Sequence, residues 1–450
     1  MMLSLLWKES SILKSNCLSE LLMAFFFIHY NVSKDRRVIS MLNNIFFRCF
    51  CLFLLLILFP PLAYAQNVVE FQDPYLEQVV RDEIDKPEGD IYISDVEGLT
   101  ELDATSRRVQ SLEGLQYLTN LERLYFGLNQ VRDISPLANL TNLRELYFAV
   151  NEVRDITPLE NLTKLEWLYF EWNEVSDITP LVNLTNLNYL VFEENKVSDI
   201  SPLAGLIRLR GLYFSENEVS DITSLAGLAS LEDLAFWGNK ITDIAPLATL
   251  TSLKVLEFGG NKVRDITPLA NLTNLSGLYF SDNEVRDITP LENLINLKGL
   301  YFEWNEVSDI APLAKLTKLE WLYFSGNEVN DIKPLANLMR LEILVFEENK
   351  VSDIVPLADL TRLKGLFFGR NEVSDITPLA NLTDLDRLHF EWNKIIDITP
   401  LLDNEALGEW DHIQMEENYL DLTPGSQNMK DIETLIERRI SVSYEPQRSL

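Results

Sequence analysis

Cysteine is nearly missing from this chain. Its 450 residues hold three, Cys17, Cys49 and Cys51, so beyond the amino-terminal end no disulfide framework and no thiol chemistry are available. Histidine is as scarce, with His29, His389 and His412 the whole complement, too few for a histidine-rich metal site. Positive charge is short: 38 Lys and Arg stand against 69 Asp and Glu, a balance that argues against nucleic acid and anionic membrane as partners. No nucleophile elbow, phosphate loop, zinc signature or EF-hand spacing occurs. Low-complexity linkers are absent, so a string of separate globular domains is not indicated.

What the chain has instead is one period. Asparagine recurs every 22 residues at Asn129, Asn151, Asn173, Asn195, Asn217, Asn239, Asn261, Asn283, Asn305, Asn327, Asn349, Asn371 and Asn393, with no insertion or deletion. The unit from Leu140 carries Leu143, Leu146, Phe148, Asn151, Val153, Ile156 and Leu159. Leu146 and Phe148 read as inward residues of a short strand, because side chains alternate across a strand. Thr157-Pro158 reads as the start of a short helical turn, with the hydroxyl capping free N–H groups and Pro at the first helical position. The same spacing run backwards gives Leu99, Leu102, Ala104 and Arg107, a degenerate first unit, so about fourteen units are expected. A single unit buries too little to fold alone; stacked neighbours supply the rest.

Three columns follow. The asparagines are expected to turn inward and bond backbone groups that the bend leaves unpaired. Phenylalanine stands two residues after the strand leucine in every unit, from Phe126 to Phe390, at a spacing suited to a stacked core spine. The aspartates from Asp133 to Asp397 could hold cations, but a short acceptor two residues before each helical turn reads better as its cap.

The amino end predicts export. From Met41, Arg48 precedes an apolar stretch from Cys49 to Phe59, and Ala63-Tyr64-Ala65 has the small-x-small pattern of a cleavage site. Residues 1–40 are a doubtful upstream segment with Met41 as the expected start, 41–65 a signal peptide, and Gln66 the first mature residue. The apolar run is too short for a membrane span of about 20 residues, so no membrane insertion is expected after cleavage. Six of the basic and three of the acidic residues precede Gln66, leaving 32 against 66.

In each unit the residues six, four, two and one before the asparagine are expected to face outward on one wall. That wall holds Tyr147, Tyr169, Tyr213, Tyr279, Tyr301 and Tyr323, together with Trp167, Trp172, Trp237, Trp304, Trp321 and Trp392. Interleaved are Glu171, Glu193, Glu194, Glu257, Glu303 and Glu347. Over all thirteen units the four columns carry twelve acidic residues and three basic ones, Arg123, Arg370 and Arg387. Strand propensity alone accounts for part of the tyrosine column. Block copying accounts for the pair Trp167 and Trp321, which share LEWLYF 154 residues apart. The remaining tryptophans belong to the residue types that dominate binding hot spots.

Segments such as NEVRDITPLENLTKLEWLYF resemble the 22-residue leucine-rich repeats of the bacterial internalin class, over about Leu99 to Leu401. Residues 66–98 resemble the amino-terminal cap of such exported proteins, and independently Asp73-Pro74 opens a helix with Leu76, Val79, Val80 and Ile84 on one face. Repeat phase is lost after Leu407, and residues 408–450 resemble a terminal cap, with a helix from about Ser426, apolar at Met429, Ile432, Leu435 and Ile436, then a strand through Val442 and Tyr444. The fold the resemblance implies is a leucine-rich repeat solenoid, an α/β arc or horseshoe: a parallel sheet lines the concave face, short helical turns the convex face, and both ends of repeats 99–407 are capped. The function implied is recognition of a protein outside the cell, with no particular partner; the acidic wall points to a partner with a basic or mixed surface, and no catalysis, cofactor or metal is expected. No LPxTG sorting signal occurs, so free secretion or residence in the periplasm or envelope is expected rather than wall attachment. Glycan binding is the alternative, since aromatic faces suit sugar rings. A glycosidase built on paired carboxylates such as Glu303 and Glu347 is disfavoured, because an open wall of exposed Glu lacks the pocket that raises one pKa.

Overall fold

A computed structural model describes residues 68–409 and 411–449. The expected signal segment, its cleavage point and residues 1–40 lie outside the described residues. Among the described residues, no helix is long and apolar enough to cross a membrane.

Among the described residues, sixteen strands form one open, all-parallel sheet in strict sequence order. Each strand is three residues long, from β1 (Glu101–Asp103) to β14 (Arg387–His389), β15 (His412–Gln414) and β16 (Ser441–Ser443). Partner residues are 22 apart at each step, from Glu101↔Arg123 to Gly365↔Arg387. The sheet is short across each rung because only the n−6, n−5 and n−4 positions before each asparagine n keep extended geometry. The next residues turn, and the chain returns through a 3₁₀ segment of three to five residues, such as Thr157–Leu159 or Ser201–Gly205.

The core is a pile of identical layers. Leu124, Leu146 and their successors on the strands are fully buried, as are Phe126 to Phe390 and the Val, Ile and Leu positions of the turns. Phenylalanine rings stack from rung to rung with centroids 5.4 Å apart at Phe126–Phe148 and 5.8 Å at Phe346–Phe368, their planes inclined by 9° at the first step and at most 22°, at Phe236–Phe258. Rung spacing of about 4.8 Å leaves the rings the offset that face-to-face quadrupoles prefer.

The asparagines close each bend. Asn261 Nδ2 donates to Phe258 O of its own rung (3.0 Å) and Phe236 O of the preceding one (3.1 Å), while its Oδ1 accepts from Ile241 N (3.0 Å). The same set recurs from Asn151 to Asn393. Each side chain therefore satisfies buried groups that no ladder bond reaches.

The cap of the helical turn departs from expectation. The threonine is itself the first 3₁₀ residue and its hydroxyl caps nothing; Asp155 Oδ1 accepts from Thr157 N (2.8 Å), and the same bond recurs at Asp265 and Asp287. A carboxylate is the stronger acceptor, and the hydroxyl instead donates to it, as Thr223 Oγ1 does to Asp221. The aspartates thus cap, as read, and among the described residues no cluster of three or more His, Cys, Asp or Glu could hold a metal.

Both ends are closed. Helix α1 (Pro74–Glu83) starts at Asp73, whose Oδ1 accepts from Tyr75 N and Leu76 N while Oδ2 accepts from Gln110 N and Ser111 N, tying the cap to the first repeats. At the other end the stack outlasts its period. His412 pairs with Arg387 across 25 residues and Ser441 with His412 across 29. Asn418 takes the asparagine role, donating to Phe390 O and Met415 O and accepting from Ile395 N, and Met415 fills the phenylalanine site. The phase lost after Leu407 is therefore a three-residue insertion, and the rungs go on. The terminal helix (Gln427–Glu437) begins at Ser426 and buries Ile432 and Leu435, but Ile436 is 48 % exposed and faces outward. Buried Asp431 accepts from Thr399 Oγ1 and Gln427 Nε2, filling that face with polar contacts instead.

Candidate functional site

The outward faces of the short strands carry the n−6 and n−4 columns, with the strand leucine between them buried in each rung. Tyr147, Tyr169, Tyr213, Tyr279, Tyr301 and Tyr323 lie half-buried in the n−4 column. They lean on one another across the strands: ring centroids are 6.1 Å apart at Tyr147–Tyr169, 4.7 Å at Tyr279–Tyr301 and 4.2 Å at Tyr301–Tyr323. Burial pushes the phenols of Tyr213 and Tyr301 up to about 12, so both stay protonated. Trp167 and Trp321 occupy the n−6 column of two rungs, half-buried and exposed respectively.

The n−2 and n−1 residues are not on the strands. They form the bend just past them, and the n−1 residue is left-handed: φ is +56° at Trp172, +52° at Glu194, +53° at Trp304 and +58° at Trp392. Three of the thirteen rungs meet this demand with glycine, at Gly238, Gly260 and Gly326, where it costs nothing; the other ten carry L-residues, exposed Leu128 and Val150 among them. A bulky L-residue there is strained by roughly 1–2 kcal/mol. Trp172 is nevertheless 56 % exposed and Trp304 50 % exposed, so burial does not offset the strain. Trp304 lies across Gly326 of the next rung, where a Cβ would sit 2.4 Å from its ring. Trp237, at n−2, is exposed as well. Trp392 is less free: Arg370 and Arg448 place guanidinium groups 5.5 and 5.8 Å from its ring, joining it to the terminal cap.

The glutamates are not as open as their spacing suggested. Glu171, Glu193, Glu257, Glu303 and Glu347 are half-buried, and burial holds the carboxyls of Glu171, Glu257, Glu303 and Glu347 above the ordinary value. Glu194, at a bend, is raised for the same reason. One oxygen each of Glu171, Glu391 and Glu416 is buried with no hydrogen-bond partner among the described residues. The premise that this wall cannot raise a carboxyl pKa is thus corrected.

Cations are engaged elsewhere. On the flank at n−7, Lys254 pairs with Glu232 (2.5 Å), Arg144 with Glu166 (2.6 Å) and Lys364 with Glu342 (2.8 Å). On the opposite flank Arg154 and Lys196 both hold Glu174 (2.9 and 3.0 Å). Among the described residues, no ion pair reaches Glu171, Glu193, Glu194, Glu257, Glu303 or Glu347 of the wall. The wall therefore offers acceptors and rings, and almost no donors of its own charge.

A model of the family "Leucine Rich repeats (2 copies)" matches residues 119–161 and 230–271. Comparison with curated proteins returns no match. Among solved structures, the chain is similar to an internalin of Listeria monocytogenes, InlF, with 36 % identity and a TM-score of 0.70, over 75 % of this chain and 100 % of that one. It also resembles the functional domain of InlJ from Listeria monocytogenes, at 21 % identity and TM-score 0.63 over 80 % and 85 % of the two chains. A plant peptide hormone receptor, RGFR1, solved in complex with RGF2, matches at 17 % identity and TM-score 0.53, over 80 % and 68 %. The last two likenesses concern the fold alone.

Proposed function

Since this chain belongs to the internalin-like family of leucine-rich repeat proteins, we propose that it is an exported, non-catalytic recognition protein whose acidic, aromatic concave wall engages another protein. One observation supports this above the rest. At a bend where three rungs use glycine, Trp172 and Trp304 stand strained and solvent-exposed. Packing accounts for them only in part: Trp304 lies across Gly326, yet half of each indole surface stays open, and that open aromatic surface suits contact with a partner. The unpaired carboxylates beside them suit a partner with a basic or mixed surface, in keeping with the acidic balance of the whole chain.

Capture from the native environment tests the reading. The full chain should retain a protein partner, the variant Trp172→Ala/Trp304→Ala should lose it with an unchanged melting temperature, and retention should weaken with added salt. Retention of a saccharide that survives high salt would favour the glycan alternative, and unimpaired capture by the double variant would refute the wall as the binding face.

A further inference from the structure

The middle of the wall is hollow. A pocket of about 280 Å³ is lined by Trp237, Glu257, Gly259, Tyr279, Ser281 and Tyr301. Its shape follows from a run of small residues. Gly259 occupies the n−2 position where neighbouring rungs carry Trp237 and Ser281, and a Cβ there would stand 2.4 Å from Trp237 Cδ1, so only glycine lets the indole lie over this rung. Glu257 replaces the usual n−4 tyrosine, directly opposite Tyr279 in the parallel pair, and Tyr301 follows at the next strand.

The chemistry of the lining is one-sided. Two phenol rings, an indole and a carboxylate converge, and the single charged group among them, Glu257, is negative. Glu257 has neither an ion pair nor a side-chain hydrogen bond among the described residues, and burial raises its pKa. No lysine or arginine occupies the four wall columns anywhere between Arg123 and Arg370. An aromatic enclosure with one unpaired carboxylate is a receptor for a cation. The flat walls select further: a guanidinium stacks on rings, presents a planar fork to a carboxylate and sheds water more readily than an ammonium.

Resting on the reading of the wall as a protein-binding face, we infer that the Trp237–Glu257–Tyr279–Tyr301 pocket receives an arginine side chain projecting from the partner. Glu257 takes the fork, the indole and phenols enclose its plane, and the hydroxyl of Ser281 accepts a remaining N–H.

A free probe separates this inference from the larger reading. The full chain labelled with 5-fluorotryptophan gives signals from its eight tryptophans, and Trp237→Phe assigns the one in the pocket. Titrated with N-acetyl-arginine methylamide, the Trp237 signal should shift saturably, and the uncharged citrulline analogue should bind about tenfold more weakly. Glu257→Gln, the same size without the charge, should abolish that difference while the other seven signals stay in place. Glu347→Gln, a half-buried wall carboxylate outside the pocket, should leave it intact. An unmoved Trp237 signal, equal binding of arginine and citrulline probes, or equal weakening by Glu347→Gln would each overturn the inference. Such a result would leave the wall itself to be judged by the Trp172 and Trp304 variants.

Discussion

A tryptophan in a left-handed bend is a costly choice, and the wall makes it at three rungs. Glycine is available to the same bend, so Trp304→Gly isolates what the indole contributes. The substitution removes strain of roughly 1–2 kcal/mol and adds unfolded-chain freedom of about 0.5–1 kcal/mol, so thermal unfolding should show an equal or slightly higher melting temperature alongside lost partner capture. A drop of several degrees would mean that the ring serves to pack the bend. The half-buried glutamates carry a related cost. Burial holds Glu303 above its ordinary value, so the folded chain binds more protons than the unfolded one in the interval between the two values, and stability falls as pH rises through it. Glu303→Gln keeps the contact with Ser281 and removes that penalty. It should melt about a degree above the parent at pH 7, with the gain gone below about pH 4; a lower melting temperature at pH 7 would contradict the account.

Repeating units were the most legible part of the sequence, for a physical reason. The leucines, the phenylalanine spine and the asparagine each answer to burial within one rung, and burial is what periodic spacing records. The Asn261 set of bonds to Phe236 O, Phe258 O and Ile241 N follows from a polar side chain in that position. Asn261→Ala should orphan those groups and lower stability by about 2–4 kcal/mol, read as a fall in the urea midpoint; a midpoint within error of the parent would remove the asparagine ladder from the account. Competition between acceptors was not legible. Asp155 and Thr157 both qualify as caps, and only geometry decides that the carboxylate takes the N–H and the hydroxyl serves it. The bend was hidden as well, although Gly238, Gly260 and Gly326 falling in one column could have revealed a left-handed position. The missed rung had its own signal: Glu416-Glu417-Asn418 repeats Glu347-Glu348-Asn349, with three extra residues before it.

Across the whole stack, charge and aromaticity are sorted by face. Many basic residues are held in ion pairs along the flanks, while the strand face between Arg123 and Arg370 keeps rings and carboxylates, of which Glu257 and Glu303 have no ion pair among the described residues. Sorting of this kind was visible in the sequence because column position fixes face; how deeply each carboxylate sinks was not, since it depends on which neighbour is glycine and which is tryptophan, as at Gly259 and Trp237. Exposed apolar residues also occur away from this face, at Ile207 beside one helical turn and Val355 within another, so exposure alone does not mark the wall. Capture of partner by the full chain, compared between Trp172→Ala/Trp304→Ala and Ile207→Ala/Val355→Ala, separates the two surfaces. The wall pair should abolish capture and the turn pair should leave it untouched; the reverse pattern, or equal loss from both, would contradict recognition through the concave face.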